Sequence, residues 1–359
     1  MTIKFASTPD EMTPEWFTSL LQNAGLLGSG HVENVSLVPF GGGVMTNMVR
    51  ASLSYSGTTD APASMLVKYP SSDEGNLLIA QVTGLYEFEV RFYQDIAPKL
   101  TDASIPKAYL AQIDEKSGRF NLALEDLSGI TQAGEKSPPS ADQCIAVFRE
   151  LAGFQAAFWN SPVLAEFNWL APQRTQQYFD AFPAALEPFL NRYATGLSAE
   201  QIELFKTVMP NAGKWVRSWQ APTALQHGEF RSANVLFGTS ADAPPVTLID
   251  FQTVRVGPPG VDLAYFMACS LPTEERRKIE RDVITAYHQE LVKAGVKDFD
   301  WDACWKSYCE GALYGVIFYG GVAAQVESNE HNDKLLADLI QKLANMALDL
   351  DSIKIAGLG

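Results

Sequence analysis

Thr13-Pro14-Glu15 sets a capping residue, a proline and an acid at the head of an apolar stripe carried by Trp16, Leu20 and Leu21, the pattern of a helix start. The glycine cluster from Gly25 to Gly30 ends that helix, and the pattern then changes to partial alternation. Strands are predicted at 35–38, 48–55 and 64–69, and two more at 109–113 and 120–124 bracket the polar break Asp114-Glu115-Lys116-Ser117-Gly118. Between them, Leu85, Phe88, Phe92 and Ile96 recur every three or four residues, predicting one helix over 78–96. Beyond Leu127 the periodicity is helical over 140–159, 173–194, 198–219, 274–294, 302–326 and 332–353, interrupted by a strand-rich island over 225–256. Segregation of strands from helices points to an α+β chain of two lobes: a β-rich lobe over residues 1–126 that includes the N-terminal helix, and a mainly helical lobe over 127–359.

The chain has 359 residues, 47% of hydrophobic and 19% of charged types, which is ordinary globular usage and excludes a disordered or fibrous protein. Its 27 basic and 42 acidic side chains give a net charge of −15, so nucleic acid and anionic membranes are not expected partners, and a small molecule is. The stretch between Glu310 and Glu327 contains Gly, Tyr and Gln and falls short of a membrane span. The first residues carry Asp10 and Glu11 with no apolar run behind a basic region, so no signal peptide is expected. Cys144, Cys269, Cys304 and Cys309 match no zinc or redox spacing, which fits reduced thiols in a cytoplasmic protein.

One segment carries chemistry: His227-Gly228-Glu229-Phe230-Arg231-Ser232-Ala233-Asn234, followed by the strand Val246-Thr247-Leu248-Ile249 and Asp250-Phe251-Gln252. An acid, an amide five residues on, and an aspartate at the end of a strand are the parts phosphoryl transfer requires. The acid positions or deprotonates an acceptor hydroxyl, and the amide and aspartate offer hard oxygen ligands to Mg²⁺. Upstream, Gly41-Gly42-Gly43 joins two predicted strands, where a glycine loop brings backbone amides close to phosphates or simply makes a hairpin turn. Lys68, ending a β-rich run, could pair with the α- and β-phosphates, and Glu89 on the next helix could hold it.

Taken in order, Thr13 to Trp16, Gly41 to Gly43, Lys68, Glu89 to Tyr93, Leu124 to Leu127, His227 to Asn234, Ile249 to Gln252 and Asp262 to Phe266 resemble the aminoglycoside phosphotransferase and choline kinase superfamily, most closely its ecdysteroid kinase-like branch. The resemblance implies a protein-kinase-like fold, ATP bound between the lobes and γ-phosphate transfer to a small-molecule hydroxyl. By position it implies Lys68 on the phosphates with Glu89 as its partner, and the hinge Glu125-Asp126-Leu127 against adenine. It also implies Asn234 and Asp250 on magnesium, and Glu229 in the place of the catalytic aspartate. His227 and Asp262 would order the loop.

Two residues depart from the family pattern. Glu229 stands where aspartate is usual, lengthening the reach by about 1.5 Å, and a misplacement of about 1 Å can cost roughly 100-fold. Gln155 stands where histidine is usual and cannot carry an imidazolium charge. The first departure leaves two readings: an active ATP- and Mg²⁺-dependent small-molecule kinase, or a catalytically silent nucleotide-binding relative. Acidic composition would steer a cationic amino sugar or choline, whereas the resemblance favours an apolar, hydroxylated acceptor. Trp159, Trp169, Trp215, Trp219, Trp301 and Trp305, at helical spacing, are expected in the core.

Overall fold

The computed structural model describes residues 3–41, 45–57, 59–101, 103–220, 222–326 and 328–358. The first lobe begins with α1 (Pro14–Asn23), whose Thr13 side chain accepts from the Trp16 amide. A five-stranded antiparallel sheet follows, built from β1 (His31–Pro39), β2 (Thr46–Ser56), β3 (Ser64–Pro70), β4 (Ala108–Asp114) and β5 (Arg119–Glu125) in the order β1-β2-β3-β5-β4. Strand periodicity gives each face its own partner. Val49, Ala51, Met65 and Val67 join Phe17, Leu20 and Leu21 of α1 in a small core. Lys68 and Leu122 are register partners, and Leu122 belongs to the larger core on the opposite face. Alternation along β3 thus puts Lys68 on the face away from α1, where an apolar neighbour would otherwise sit.

That face is covered by α3 (Leu85–Arg91), whose buried residues Tyr86, Glu89 and Val90 lie three and four apart. The single helix predicted over 78–96 is divided. A separate α2 (Glu74–Thr83) ends at Gly84, whose φ of 79° no helix can continue through, and α3 runs into a wider turn over Phe92–Ile96. Periodicity of apolar residues persists through both breaks, which is why it did not reveal them.

The second lobe contains α4 (Ala141–Ala156), α5 (Pro172–Asp180), α6 (Leu186–Tyr193), α7 (Ala199–Val208) and α8 (Ala212–Arg217) after a short β6 (Thr131–Ala133). The predicted helices 173–194 and 198–219 are each interrupted, by 3₁₀ turns containing Pro183 and Pro210, because proline removes a donor and clashes with the preceding turn. The strand-rich island resolves into β7 (Ala224–Gln226), β8 (Val235–Gly238), β9 (Val246–Leu248) and β10 (Arg255–Gly257), with β8 between β6 and β9 and β10 paired to β7. Then follow α9 (Gly260–Ser270), α10 (Thr273–Lys293), α11 (Trp301–Val322), α12 (Glu330–Asp349) and a short α13 (Ser352–Ile355). Helix α9 is buried along nearly its whole length, so it lacks an amphipathic signal. Trp169 and Trp215 are buried, and Trp159, Trp219, Trp301 and Trp305 pack half-buried against the same core. No helix among the described residues is long and apolar enough to cross a membrane.

The two lobes meet through aromatic packing. Phe251 stacks on Phe92 with ring centroids 3.8 Å apart and planes within 10°, and it also meets Tyr93, Phe154 and His227. It therefore ties the turn after α3 to α4 and to the loop that precedes β8. Truncation of a fully buried phenylalanine costs about 3–5 kcal/mol. Phe251→Ala should lower unfolding stability by that amount in a urea titration monitored by circular dichroism, and a loss below about 1 kcal/mol would contradict this packing role.

Candidate active site

Beside Phe251, the Lys68 ammonium lies 2.6 Å from Glu89 Oε1 and 3.0 Å from Asp250 Oδ1. Glu89 is 2% exposed, and only one ammonium faces the two carboxylates. Burial opposes the charge on Lys68, but Asp250 and Glu89 outweigh it and hold the ammonium above its usual range. Burial also works against the Asp250 carboxylate, yet Lys68 wins and the group titrates below the ordinary aspartate value. Asp250 therefore adds stability above the unfolded aspartate range, and that contribution is lost as pH falls through its depressed folded value. Burial pushes the Glu89 carboxyl up, with Lys68 pulling against it.

Asp250 has φ of 69°, a left-handed conformation that costs a non-glycine residue energy and tends to persist where a side chain must be aimed. Gln252 Nε2 lies 3.3 Å from Asp250 Oδ2. Antiparallel pairing of Val235 with Leu248, and the Ile249 amide donating to the Asn234 carbonyl at 3.1 Å, bring the Asn234 segment beside Asp250. Asn234 Nδ2 donates to the Glu229 carbonyl at 2.8 Å. That bond spans the loop and leaves the amide oxygen of Asn234 as its free hard donor.

Glu229 is held by a backbone that admits little variation. Gly228 has φ of 87°, and a Cβ there would come within 2.2 Å of the Thr253 carbonyl oxygen. The amides of His227 and Gly228 donate to Asp262 at 2.8 and 2.9 Å, and Gln155 Nε2 reaches the same carboxylate at 3.1 Å. Gln155 in turn accepts from the Tyr287 hydroxyl. A neutral amide at 155 thus serves as a donor to Asp262 with no imidazolium required. Burial pushes the Asp262 carboxyl up against these donors. His227 Nε2 lies 2.8 Å from the Ile249 carbonyl, which only accepts, while its Nδ1 has no partner. Burial lowers its pKa, so His227 is a neutral Nε2–H imidazole that bridges the two loop segments.

The Glu229 carboxylate lies 3.4 Å from Arg231 Nε. Burial raises its pKa, with Arg231 opposing and Asp250 adding like-charge repulsion. Glu229 and Asp250 are thus close enough to shift one another. Lys68, Glu89, Asp250, Glu229 and the Asn234 loop form one cluster, which also draws in Gln252, Arg231 and Arg255. Arg231 and Gln252 lie inside the two segments the sequence singles out, each two residues from an acid, but were given no role there, and Arg255 lies outside them.

Of the other predicted residues, Gly41 is exposed with φ of 76° after β1, and Gly42 and Gly43 lie outside the described residues. Glu125, Asp126 and Leu127 form the connection from the sheet to the helical lobe. Glu125 accepts from the Lys107 amide, Asp126 pairs with Arg50 at 2.9 Å, and the Leu127 carbonyl accepts from Ile130 and Thr131. Arg50 also lies over the Phe40 ring at 4.4 Å, joining the flank of the glycine loop to the connection.

The donor set suits a magnesium ion. One ammonium against the buried Glu89 and the partly exposed Asp250 carboxylates leaves a negative charge uncompensated at Lys68, and the Asn234 amide oxygen and Asp250 Oδ2 are hard ligands. Among the described residues no group of three or more His, Cys, Asp or Glu could hold a metal by itself. Two protein ligands are what Mg²⁺ needs when phosphates and water complete its shell.

A strand-rich lobe joined to a helical one, with a lysine–glutamate pair facing an aspartate across the junction, defines a protein-kinase-like fold of the small-molecule phosphotransferase type. The chain belongs to the ecdysteroid kinase-like family, whose model matches residues 41–298. No curated protein sequence matches it. Solved structures of the same fold include a macrolide 2′-phosphotransferase type I, at TM-score 0.52 and 14% identity over 94% of this chain and 99% of that one. A choline kinase from Cryptosporidium parvum matches at TM-score 0.53 and 10% identity, over 90% of this chain and 91% of that one. A Plasmodium vivax ethanolamine kinase matches at TM-score 0.52 and 11% identity, over 90% and 83% respectively.

Proposed function

We propose that this chain is an ATP- and Mg²⁺-dependent phosphotransferase acting on a hydroxyl of a small, largely apolar molecule. The reading rests above all on the contact of Lys68 with both Glu89 and Asp250. Family membership and the phosphotransferases that share the fold support it.

Lys68, fixed by Glu89, binds the α- and β-phosphates of the nucleotide and moves to them from its contact with Asp250. The connection 125–127 meets adenine, and the glycine loop at 41–43 covers the phosphates. Asn234 and Asp250 would hold Mg²⁺, which when bound would neutralise charge on the phosphates. Glu229 accepts a hydrogen bond from the acceptor hydroxyl and orients its oxygen towards the γ-phosphorus. A new O–P bond forms, the bond from phosphorus to the β–γ bridging oxygen breaks, ADP leaves, and the hydroxyl proton passes to Glu229. The raised proton affinity of Glu229 suits that last step. Loose transition states in phosphoryl transfer place more weight on position than on full deprotonation, so a glutamate serves where the loop backbone holds it back.

The second reading, a nucleotide-binding protein without transfer activity, is favoured by one feature: the extra methylene of Glu229. Coupled-enzyme measurement of ADP formation, for the wild type and Glu229→Asp over a panel of sterols, amino alcohols and aminoglycosides, separates the two. Acceptor-dependent turnover by the wild type is expected, with Glu229→Asp slower by about 100-fold because the loop is set for the longer acid. Nucleotide binding with no turnover by either protein would leave the silent reading.

A further inference from the structure

Arg231 occupies an unusual position beside Glu229. Its Nε is buried and has no hydrogen-bond partner, and its nearest carboxylate, Glu229 at 3.4 Å, lies outside hydrogen-bond geometry. The Arg231 side chain is 40% exposed, so the rest of the guanidinium reaches solvent, whereas its buried Nε goes without an acceptor unless an entering group supplies one. Glu229 is a poor permanent partner, because its carboxylate must face the acceptor hydroxyl.

The surroundings of Arg231 come from the helical lobe. Tyr265 of α9 and Tyr319 of α11 touch through their hydroxyls at 3.3 Å, and both interact electrostatically with Arg231 and Glu229. A Cβ on Gly228, the neighbour of Glu229, would come within 2.5 Å of the Arg255 guanidinium, and Arg255 donates to the Tyr314 hydroxyl at 2.7 Å while lying over its ring at 4.8 Å. Tyr314 packs against Tyr265 with ring centroids 5.4 Å apart, so an aromatic cluster adjoins the Glu229 loop through Arg255, and two guanidinium groups act on the acid. Arg255 has its tyrosine partner. Arg231 retains an unmet donor, and its charge opposes entry of an ammonium group into the same space.

We infer that Arg231 is a specificity residue of the acceptor site, and that the acceptor is a ring-bearing alcohol presenting a second oxygen, carbonyl or carboxylate, to the Arg231 guanidinium. Cationic amino alcohols and amino sugars are disfavoured at this site despite the acidic charge of the whole chain, because the contact charge outweighs screened long-range attraction. The inference rests on the phosphotransferase reading for the position of the acceptor.

Binding rather than turnover tests it, so that it is judged separately from catalysis. The probes are 4-(hydroxymethyl)benzoate, its methyl ester, 4-methylbenzyl alcohol and 4-(aminomethyl)benzyl alcohol, which share one ring and one hydroxyl and differ only in the second group. Their affinities are measured by calorimetry on the full chain loaded with a non-hydrolysable ATP analogue and Mg²⁺, for the wild type and Arg231→Gln. The benzoate and ester should bind the wild type at least about tenfold more tightly than the methyl compound, with the amine weakest, since a hydrogen bond to a charged group is worth about tenfold or more. Arg231→Gln should flatten that order and leave affinity for the ATP analogue unchanged. Carboxylate and ester arms distinguish an anion from a neutral carbonyl. Equal or tighter binding of the amine, no probe binding while the nucleotide binds, or a Arg231→Gln effect on nucleotide alone overturns the assignment. Failure of the nucleotide itself to bind would instead remove the phosphotransferase reading.

Discussion

Lys68→Met should lower kcat/KM for ATP by about 10²–10³, the loss typical when one charged group that stabilises a transition state is removed. It should also destabilise the protein, because the buried Glu89 and the partly exposed Asp250 would then stand without their cation. Breaking a buried pair by deleting one partner costs about 3–5 kcal/mol, most of it from the charge left behind. These two losses have different cures. The double variant Lys68→Met/Glu89→Leu replaces the pair with apolar groups and should recover much of the stability while remaining inactive. Urea unfolding and steady-state ATP kinetics on the wild type, single and double variants give the answer. If the single variant loses activity only in proportion to its unfolded fraction, the lysine has a structural role and no catalytic one. The ammonium of Lys68 is held above its usual range, so its contribution is fully present below the unfolded lysine value and disappears only as pH rises through the folded one. No change in it is expected near neutrality.

Glu229→Gln should reduce kcat by about 10²–10⁴, the range for a positioned acid or base, with little change in KM for ATP because the proposed role of Glu229 is on the acceptor hydroxyl. The pH profile carries a sharper signature. Burial and the Asp250 charge raise the proton affinity of Glu229, so the acidic limb of kcat/KM in the wild type should lie above the ordinary glutamate range. The ionised form is the active one, so activity falls as pH drops through that raised value. In Glu229→Gln this limb should vanish from whatever activity persists. The same shift has the opposite sign for folding: the native state binds the proton more tightly than the unfolded chain, so the Glu229 contribution to stability declines as pH rises from the unfolded to the folded value. An acidic limb that survives unchanged in Glu229→Gln would assign it to another group.

The sequence made the ordered parts legible because each is tied to a short-range pattern. Lys68 sits on an alternating strand, Glu89 on a helix whose apolar spacing fixes its face, and Asp250 at a strand end, so periodicity alone predicts which sides they occupy. Their meeting depends on Phe251, Phe92 and Phe154 packing across the lobes, which no local pattern encodes. Gly84, Pro183 and Pro210 broke helices that apolar periodicity ran straight through, since periodicity records which face is buried and not whether the backbone can continue. Helix α9 gave no amphipathic signal because it is buried all round, although its Asp262 was marked by resemblance. Arg255 and the tyrosines of α9 and α11 were invisible as a site for a different reason: residues far apart in the chain come together beside the Glu229 loop, and nothing in their spacing announces it.

The proposed ligand set at Asn234 and Asp250 would link nucleotide, metal and chemistry, and calorimetric titration with a non-hydrolysable ATP analogue tests it most directly, in the presence of Mg²⁺ and after its removal by EDTA, for the wild type and Asp250→Asn. Saturable binding to the wild type is predicted, weakened at least about tenfold both by EDTA and by the substitution, a loss of about 1.4 kcal/mol. Once the metal is gone, the two proteins should bind alike. Absence of binding to the wild type, or binding that neither EDTA nor Asp250→Asn alters, would contradict the account.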